Sequence, residues 1–276
     1  MTEEPDLDFG LKGKVAVVTG AGSRASGVGN GRAAAVLLAA AGARVALVDS
    51  VAGHMEETRQ LIEARGGTCI AIDGDVSDAA QAERCIQRVM DAWDRLDVLV
   101  NNVGIAGPAG SVVDVDINAW NDCLRINVNS MMLMSRFAIP HMRRLGEGSI
   151  VNVSSTAGLR GGHPVAYSTT KSAVLNFTRS MAATHGPEGI RVNAVAPGFV
   201  HTPMVYAQGL AETDRERRMR AAPLRTEGTG WDVGKAILFL AGSHARWITG
   251  VTLPVDAGLT AVVAMEQSMT VTSEKV

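Results

Sequence analysis

Aromatic residues supply only 4% of this 276-residue chain, so a core must be built mainly from Ala, Val, Leu and Ile. Small side chains of that kind suit helices packed closely on a parallel sheet. Charge of one sign is also lacking: the net charge is -2, with no electrostatic footprint for nucleic acid or an anionic membrane. Arg215, Arg217, Arg218 and Arg220 cluster, but Glu212, Asp214 and Glu216 interleave with them, as on a solvated helix face. The three cysteines, Cys69, Cys85 and Cys123, are far apart and odd in number. They argue against a disulfide framework and against a metal site. Residues 1–8 are acidic and carry no apolar run, unlike a signal peptide, and no apolar stretch approaches the ~20 residues that span a bilayer. The expectation is a cytoplasmic protein with no membrane or nucleic-acid partner.

What is present is alternation. Apolar runs at Val15–Thr19, Arg44–Asp49, Thr68–Asp73, Val98–Asn101, Ser149–Ser154, Arg191–Ala196 and Val251–Val255 read as strands. Helical patterns lie between them, near Arg32–Ala41, Met55–Arg65, Ala79–Trp93, Ala119–Arg144, Ala166–His185 and Val233–Ala241. Near-continuous apolar strands alternating with helices mean βαβ units and a doubly wound, seven-stranded, mostly parallel α/β sheet. No repeat or composition break divides the chain. One domain is expected over 11–261, with tails at 1–10 and 262–276.

The first strand runs into a glycine-rich segment, Gly20 to Gly31, and then an Ala-rich helix. Glycines there let the backbone turn tightly and approach a pyrophosphate, while the helix N-terminus offers free N–H groups. The run is stretched, and its later two glycines are Gly27 and Gly29 or Gly29 and Gly31. Strand two ends at Asp49, where a carboxylate accepts hydrogen bonds from ribose hydroxyls and repels a 2′-phosphate. That favours NAD. Arg24, a cation in the same loop, points the other way.

Tyr167 and Lys171 share one helix face at i, i+4. A tyrosine of pKa roughly 10 is a poor base near neutrality, and a neighbouring ammonium, with an oxidised nicotinamide adding positive charge, would lower that value. Ser154 and Ser155 close the fifth strand at the end where such sheets bind ligands, and a hydroxyl there can polarise a substrate oxygen.

With the glycine loop, Asp75-Val76, Asn101-Asn102-Val103-Gly104, Asn127, Ser155, Tyr167 to Lys171 and Pro197 to Thr202 in order, the chain resembles a short-chain dehydrogenase/reductase from about Leu11 to Leu259. The resemblance implies a Rossmann fold and a nicotinamide cofactor. It implies Tyr167 as acid/base, Lys171 on the nicotinamide ribose, Ser155 on the substrate oxygen and Asn127 supporting a proton relay. It places Gly20, Gly29, Asn30 and Gly31 at the pyrophosphate, Asp75 and Val76 at the adenine, and Asn102 and Gly104 beside the cofactor. Pro197, Val200 and Thr202 would meet the carboxamide end. The expected activity is hydride transfer between NAD(H) and a secondary alcohol or ketone. The alternatives are an NADP-dependent carbonyl reductase of the 3-oxoacyl type and a non-catalytic NAD-binding protein. Substrate loops are expected at Ile105–Pro108, Leu159–His163 and Pro203–Arg225, with a lid over 204–221. His163 itself reads as an exposed loop residue. Met131, Met132, Met134, Phe137, Ile139 and Met142 supply more apolar surface than one sheet face needs, and the resemblance implies a homotetramer.

Overall fold

The computed structural model describes residues 8–262 except residue 208. The expected tails lie outside these residues, apart from 8–10 and 262. The strands are β1 (Val15–Thr19), β2 (Arg44–Asp49), β3 (Thr68–Asp73), β4 (Val98–Asn101), β5 (Gly148–Val153), β6 (Ile190–Pro197), β7 (Val200–His201), β8 (Gly228–Thr229) and β9 (Thr252–Val255). Seven of them form one parallel sheet in the order β3-β2-β1-β4-β5-β6-β9. β7 and β8 make a separate short pair. The order reverses between β1 and β4, so their carboxyl ends open the crevice where such sheets receive ligands.

The helices are α1 (Asn30–Ala40), α2 (Glu56–Glu63), α3 (Ala79–Trp93), α4 (Ile117–Leu124), α5 (Ser130–Leu145), α6 (Val165–His185), α7 (Pro203–Tyr206), α8 (Glu212–Arg220) and α9 (Gly230–Ala241). β1 is buried along its whole length because both sheet faces are covered. On one face Ala34 and Leu38 of α1 and Ile237 and Leu240 of α9 join Val18 and Val45. On the other, Ile86 of α3, Met134 and Met142 of α5 and Met181 of α6 join Val17, Leu99 and Ile150. Small residues set the spacing: a Cβ on Gly234 would come within 2.9 Å of Ala33, so α9 lies flush on α1.

Two expectations change. The helix expected over 119–144 is α4, a π-helical turn at Arg125–Asn129, and α5. The apolar surplus on that segment is mostly core: Met131, Met134, Ile139 and Met142 are buried, Phe137 packs partly against the core, and only Met132 is exposed. The side of a parallel sheet between α3 and α6 needed more cover than the sequence reading allowed.

Candidate active site

The glycine loop is shaped by contacts that leave no space for side chains. Gly20 takes a positive φ of 62°. A Cβ on Gly31 would lie 2.1 Å from the Gly20 carbonyl oxygen and 2.5 Å from Asn102 Nδ2. Gly29 is the residue before α1 and faces open space, and the first turn of α1 presents N–H groups that the helix itself cannot satisfy. Beside them Asn30 Oδ1 is buried without a hydrogen-bond partner. This cradle fits a dinucleotide pyrophosphate, and helix α1 places Gly29 and Gly31, rather than Gly27, at its mouth.

The stretched part of the loop is held from two sides. Fully buried Arg32 donates to the Gly27 carbonyl and, through Nε, to Thr58 Oγ1 at 3.0 Å. From the lid, the Tyr206 hydroxyl donates to the Ser26 carbonyl at 2.8 Å. Arg24 is exposed. Asp49 sits at the end of β2, where Oδ2 accepts from Gly22 N at 3.2 Å and Oδ1 from Val51 N at 3.2 Å.

Asn102 donates through Nδ2 to the carbonyls of Thr19 (3.1 Å) and Gly20 (3.0 Å), which ties the end of β4 to the glycine turn. Asp75 accepts from Ser77 N and Oγ at 2.9 and 2.6 Å and lies 3.6 Å from Arg125. Burial opposes its ionisation, but Ser77 and Arg125 more than offset that and hold the carboxyl below its ordinary range. Val76 next to it is buried. Pro197 ends β6, Val200 is buried in β7, and Thr202 caps the approach to α7, its carbonyl accepting from Val205 and Tyr206.

The two serines after β5 divide their tasks. Ser154 Oγ donates to the Lys171 carbonyl at 2.7 Å and so fastens α6 to the sheet. Ser155 acts on the Tyr167 phenol, favouring its ionised form, while its Oγ accepts from Ala157 N at 3.1 Å. Gly158 lets the turn after Ser155 lie directly on α6, since a Cβ there would meet the Lys171 backbone at 2.6 Å. Lys171 points under the tyrosine: its Nζ donates to the Val153 carbonyl at 3.0 Å and sits 5.7 Å from the Tyr167 ring centre.

Asn127 is fully buried in the π turn. Its amide clamps Ile105, with Oδ1 accepting from Ile105 N at 2.8 Å and Nδ2 donating to Ile105 O at 3.0 Å. Nδ2 also donates to Thr170 Oγ1 at 3.0 Å, and that hydroxyl donates to the Tyr167 carbonyl at 2.9 Å. Gly104 passes so close that a Cβ would lie 3.2 Å from Lys171 Nζ and 3.3 Å from Asn127 Oδ1. Asn127, Lys171, Tyr167 and Ser155, distant in sequence, are thus brought to one place.

The electrostatics of the chain alone are set by burial. Burial pushes the Tyr167 phenol above its ordinary value, against the Ser155 hydrogen bond, which opposes the rise. Burial also pulls Lys171 down to about 8. Desolvation thus dominates at both groups, and the chain's own residues favour the neutral phenol.

The sequence reading missed Thr170, although it lies inside the Tyr167–Lys171 segment, because its partner Asn127 arrives from 43 residues away. It also gave no sign that the Tyr206 hydroxyl reaches the glycine loop. His163, read as exposed, is half-buried, with its ring 6.2 Å from that of Phe199.

Comparison with known proteins agrees with this geometry. The family described as Enoyl-(Acyl carrier protein) reductase matches residues 24–260. The chain belongs to the short-chain dehydrogenase/reductase family. An uncharacterized oxidoreductase of Thermotoga maritima is 38% identical over 91% of this chain and 99% of its own. The cis-4-hydroxycyclohexanecarboxylate dehydrogenase of Sinomonas cyclohexanicum is 39% identical over 90% of this chain and 97% of its own. A putative short-chain dehydrogenase/reductase from Burkholderia xenovorans superposes with a TM-score of 0.89 at 38% identity, covering 92% of this chain and 99% of that one. This dehydrogenase/reductase is therefore an oxidoreductase of a family that uses NAD or NADP. No helix of its described residues is long and apolar enough to cross a membrane.

Proposed function

We propose that this dehydrogenase/reductase interconverts a secondary alcohol and its ketone with NAD(H). The observation that carries the reading is the convergence of Ser155 and Tyr167 at the end of β5, with Lys171 beneath and Asn127 locked alongside. Bound nicotinamide supplies the hydride acceptor or donor, and its oxidised ring adds the positive charge that favours a phenolate. The protein supplies position and the proton. Ser155 orients the substrate oxygen, and Tyr167 gives it a proton in reduction or takes one in oxidation. Lys171 holds a ribose hydroxyl and biases the tyrosine. Asn127 keeps the Ile105 loop and, through Thr170, the first turns of α6 in register. Gly20, Gly29, Asn30, Gly31, Asp75, Val76, Asn102, Gly104, Pro197, Val200 and Thr202 line the cofactor's course.

NAD is favoured over NADP because Asp49 presents a carboxylate at the strand end, where it accepts from the glycine-loop backbone. The exposed guanidinium of Arg24 is the competing feature. A hydroxycyclohexanecarboxylate dehydrogenase among the relatives supports a carbinol carbon in a ring or chain as the reacting centre. A cytoplasmic homotetramer completes the proposal, and sedimentation at micromolar concentration tests the assembly.

The test of the activity is an absorbance screen of cyclic and linear secondary alcohols and ketones against NAD(H) and NADP(H), with Asp49→Ser in parallel. Turnover with NAD(H) is expected, together with a shift toward NADP(H) of about tenfold or more in Asp49→Ser. A wild-type preference for NADP(H) would overturn the reading of Asp49. Absence of turnover with every alcohol and ketone would overturn the reaction class.

A further inference from the structure

Helix α8 carries four arginines, and three of them are neutralised locally. Arg215 meets Glu227 at 2.6 Å, Arg217 meets Asp214 at 3.0 Å, and Arg220 meets Glu216 at 3.3 Å. Among the described residues no such ion pair holds Arg218, although Glu227 acts on its charge from farther off. Arg218 is half-buried, its guanidinium lies 4.8 Å over the Phe199 ring, and its one hydrogen bond among the described residues, to the Val200 carbonyl, is long at 3.5 Å. A guanidinium has five N–H donors in a planar fork shaped for an oxyanion, and most of those on Arg218 are unused.

The surroundings of Phe199 repeat the sign. His163, four residues before Tyr167 on the loop leading into α6, lies at the same ring. Burial and the neighbouring charges of Arg160 and Arg218 hold His163 below its ordinary value. Arg160 donates to the Leu259 carbonyl at 3.2 Å. Phe199, Arg218 and Leu259 border one cavity of about 280 Å³ between the lid and the segment after β9.

Three carboxylates also border that cavity, and each is occupied elsewhere. Glu227 is clasped by Arg215 through both oxygens. Asp232 caps α9 through Thr229. Asp256 accepts from Gly258 and Thr260. The carboxylates are thus held by donors of their own, with Glu227 also acting on Arg218 through space, while most N–H donors of Arg218 stay open at Phe199. Phe199 follows the Pro197-Gly198 turn, so this guanidinium stands beside the expected nicotinamide course and close to the loop that delivers Tyr167.

Building on the alcohol/ketone reading above, we propose that the substrate carries a carboxylate, which Arg218 receives at the Phe199 ring, with His163 and Arg160 lining its approach. The carbinol end then reaches Ser155 and Tyr167. The lid helix α8 is in this view a charge-selective wall, and the substrates are hydroxy acids or oxo acids rather than simple alcohols or ketones.

The test uses the full-length protein saturated with the dinucleotide it prefers, and two non-reacting probes of one shape, cyclohexanecarboxylate and cyclohexanecarboxamide. Calorimetry should give about tenfold or more tighter binding of the carboxylate, the scale of a charge-assisted hydrogen bond. Arg218→Met should remove most of that preference, and Arg218→Lys should restore part of it. Arg220→Met, an equal loss of charge on the same helix, should leave it in place. Equal affinity for the two probes, or a preference unchanged in Arg218→Met, overturns the proposal.

A second arm compares turnover of 4-hydroxycyclohexanecarboxylate with that of its methyl ester. A binding preference lost in Arg218→Met supports the anion site even if neither compound turns over, in which case the alcohol/ketone reading is the one that fails. Turnover of both compounds with equal kcat/KM leaves that reading standing and overturns this one.

Discussion

The nucleotide half of the site and the substrate half are built by different physics. Around β1, α1 and β2 the shape is set by backbone: glycines without room for a Cβ, a helix N-terminus and a strand end. Around α6, α7 and α8 it is set by side chains from remote segments that meet across loops, such as Tyr206 on Ser26 and Arg218 on Phe199. Backbone-determined sites are specified locally and tolerate almost no change. Side-chain-determined sites are assembled late, vary more freely and set what the enzyme accepts.

The sharpest way to break this contrast is Gly31→Ala. The added methyl would meet the Gly20 carbonyl at 2.1 Å, against backbone that cannot yield. Overpacking of this kind destabilises by about 1–3 kcal/mol. Dinucleotide affinity, measured by fluorescence titration, should fall by roughly 100-fold or more, the equivalent of about 3 kcal/mol. Near-normal affinity in this variant would show that the cradle is softer than its geometry implies.

Lys171→Met comes next and separates function from stability. Activity should drop by about 100-fold or more, as for loss of a group that tunes an acid/base. The protein without cofactor should become more stable, because a buried ammonium is removed, by about 1–2 kcal/mol once the lost hydrogen bond to Val153 is counted. The sign follows from Lys171 being held at about 8 against an ordinary 10.5. The folded state disfavours the charged form, so the cost is fully present below pH 8 and vanishes as pH rises toward 10.5. The stability gap between variant and wild type, read from melts, should be largest below pH 8 and close above it. A gap that widens with pH contradicts the assignment.

The smallest effect belongs to Tyr206→Phe, which deletes one hydrogen bond between lid and glycine loop. Dinucleotide release, followed by stopped-flow, should quicken by about two- to tenfold, the scale of one neutral hydrogen bond. An unchanged release rate would mean that the two halves are not coupled through this contact.

The same division explains what the sequence reveals. All seven sheet strands are legible to within a residue or two; in the inner strands burial on both faces forces continuous apolar runs such as Val15–Thr19, whereas β3 and β9 at the edges are only partly buried. The glycine cradle and the Tyr167/Lys171 face are legible as well, since each is contiguous. Asn127 was expected, but not its setting: a π turn adds one residue to a helical ladder and leaves no mark on apolar periodicity. Thr170, Arg218 and the Tyr206 contact depend on partners 43 residues away, on a remote aromatic ring, and on a loop 180 residues earlier. No local pattern encodes those meetings. The burial that raises Tyr167 and lowers Lys171 is likewise a property of the packed molecule.

The central claim is that Tyr167 carries the proton, and Tyr167→Phe removes one oxygen while keeping the ring that Lys171 packs beneath. The direct measurement is the single-turnover rate of the substrate found in the alcohol and ketone screen, at matched dinucleotide occupancy, across pH. The account predicts a fall of roughly 10²–10⁴-fold in Tyr167→Phe with dinucleotide affinity kept within a few fold. It also predicts that in the wild type alcohol oxidation rises with pH while ketone reduction falls. A single-turnover rate in Tyr167→Phe equal to that of the wild type would contradict it.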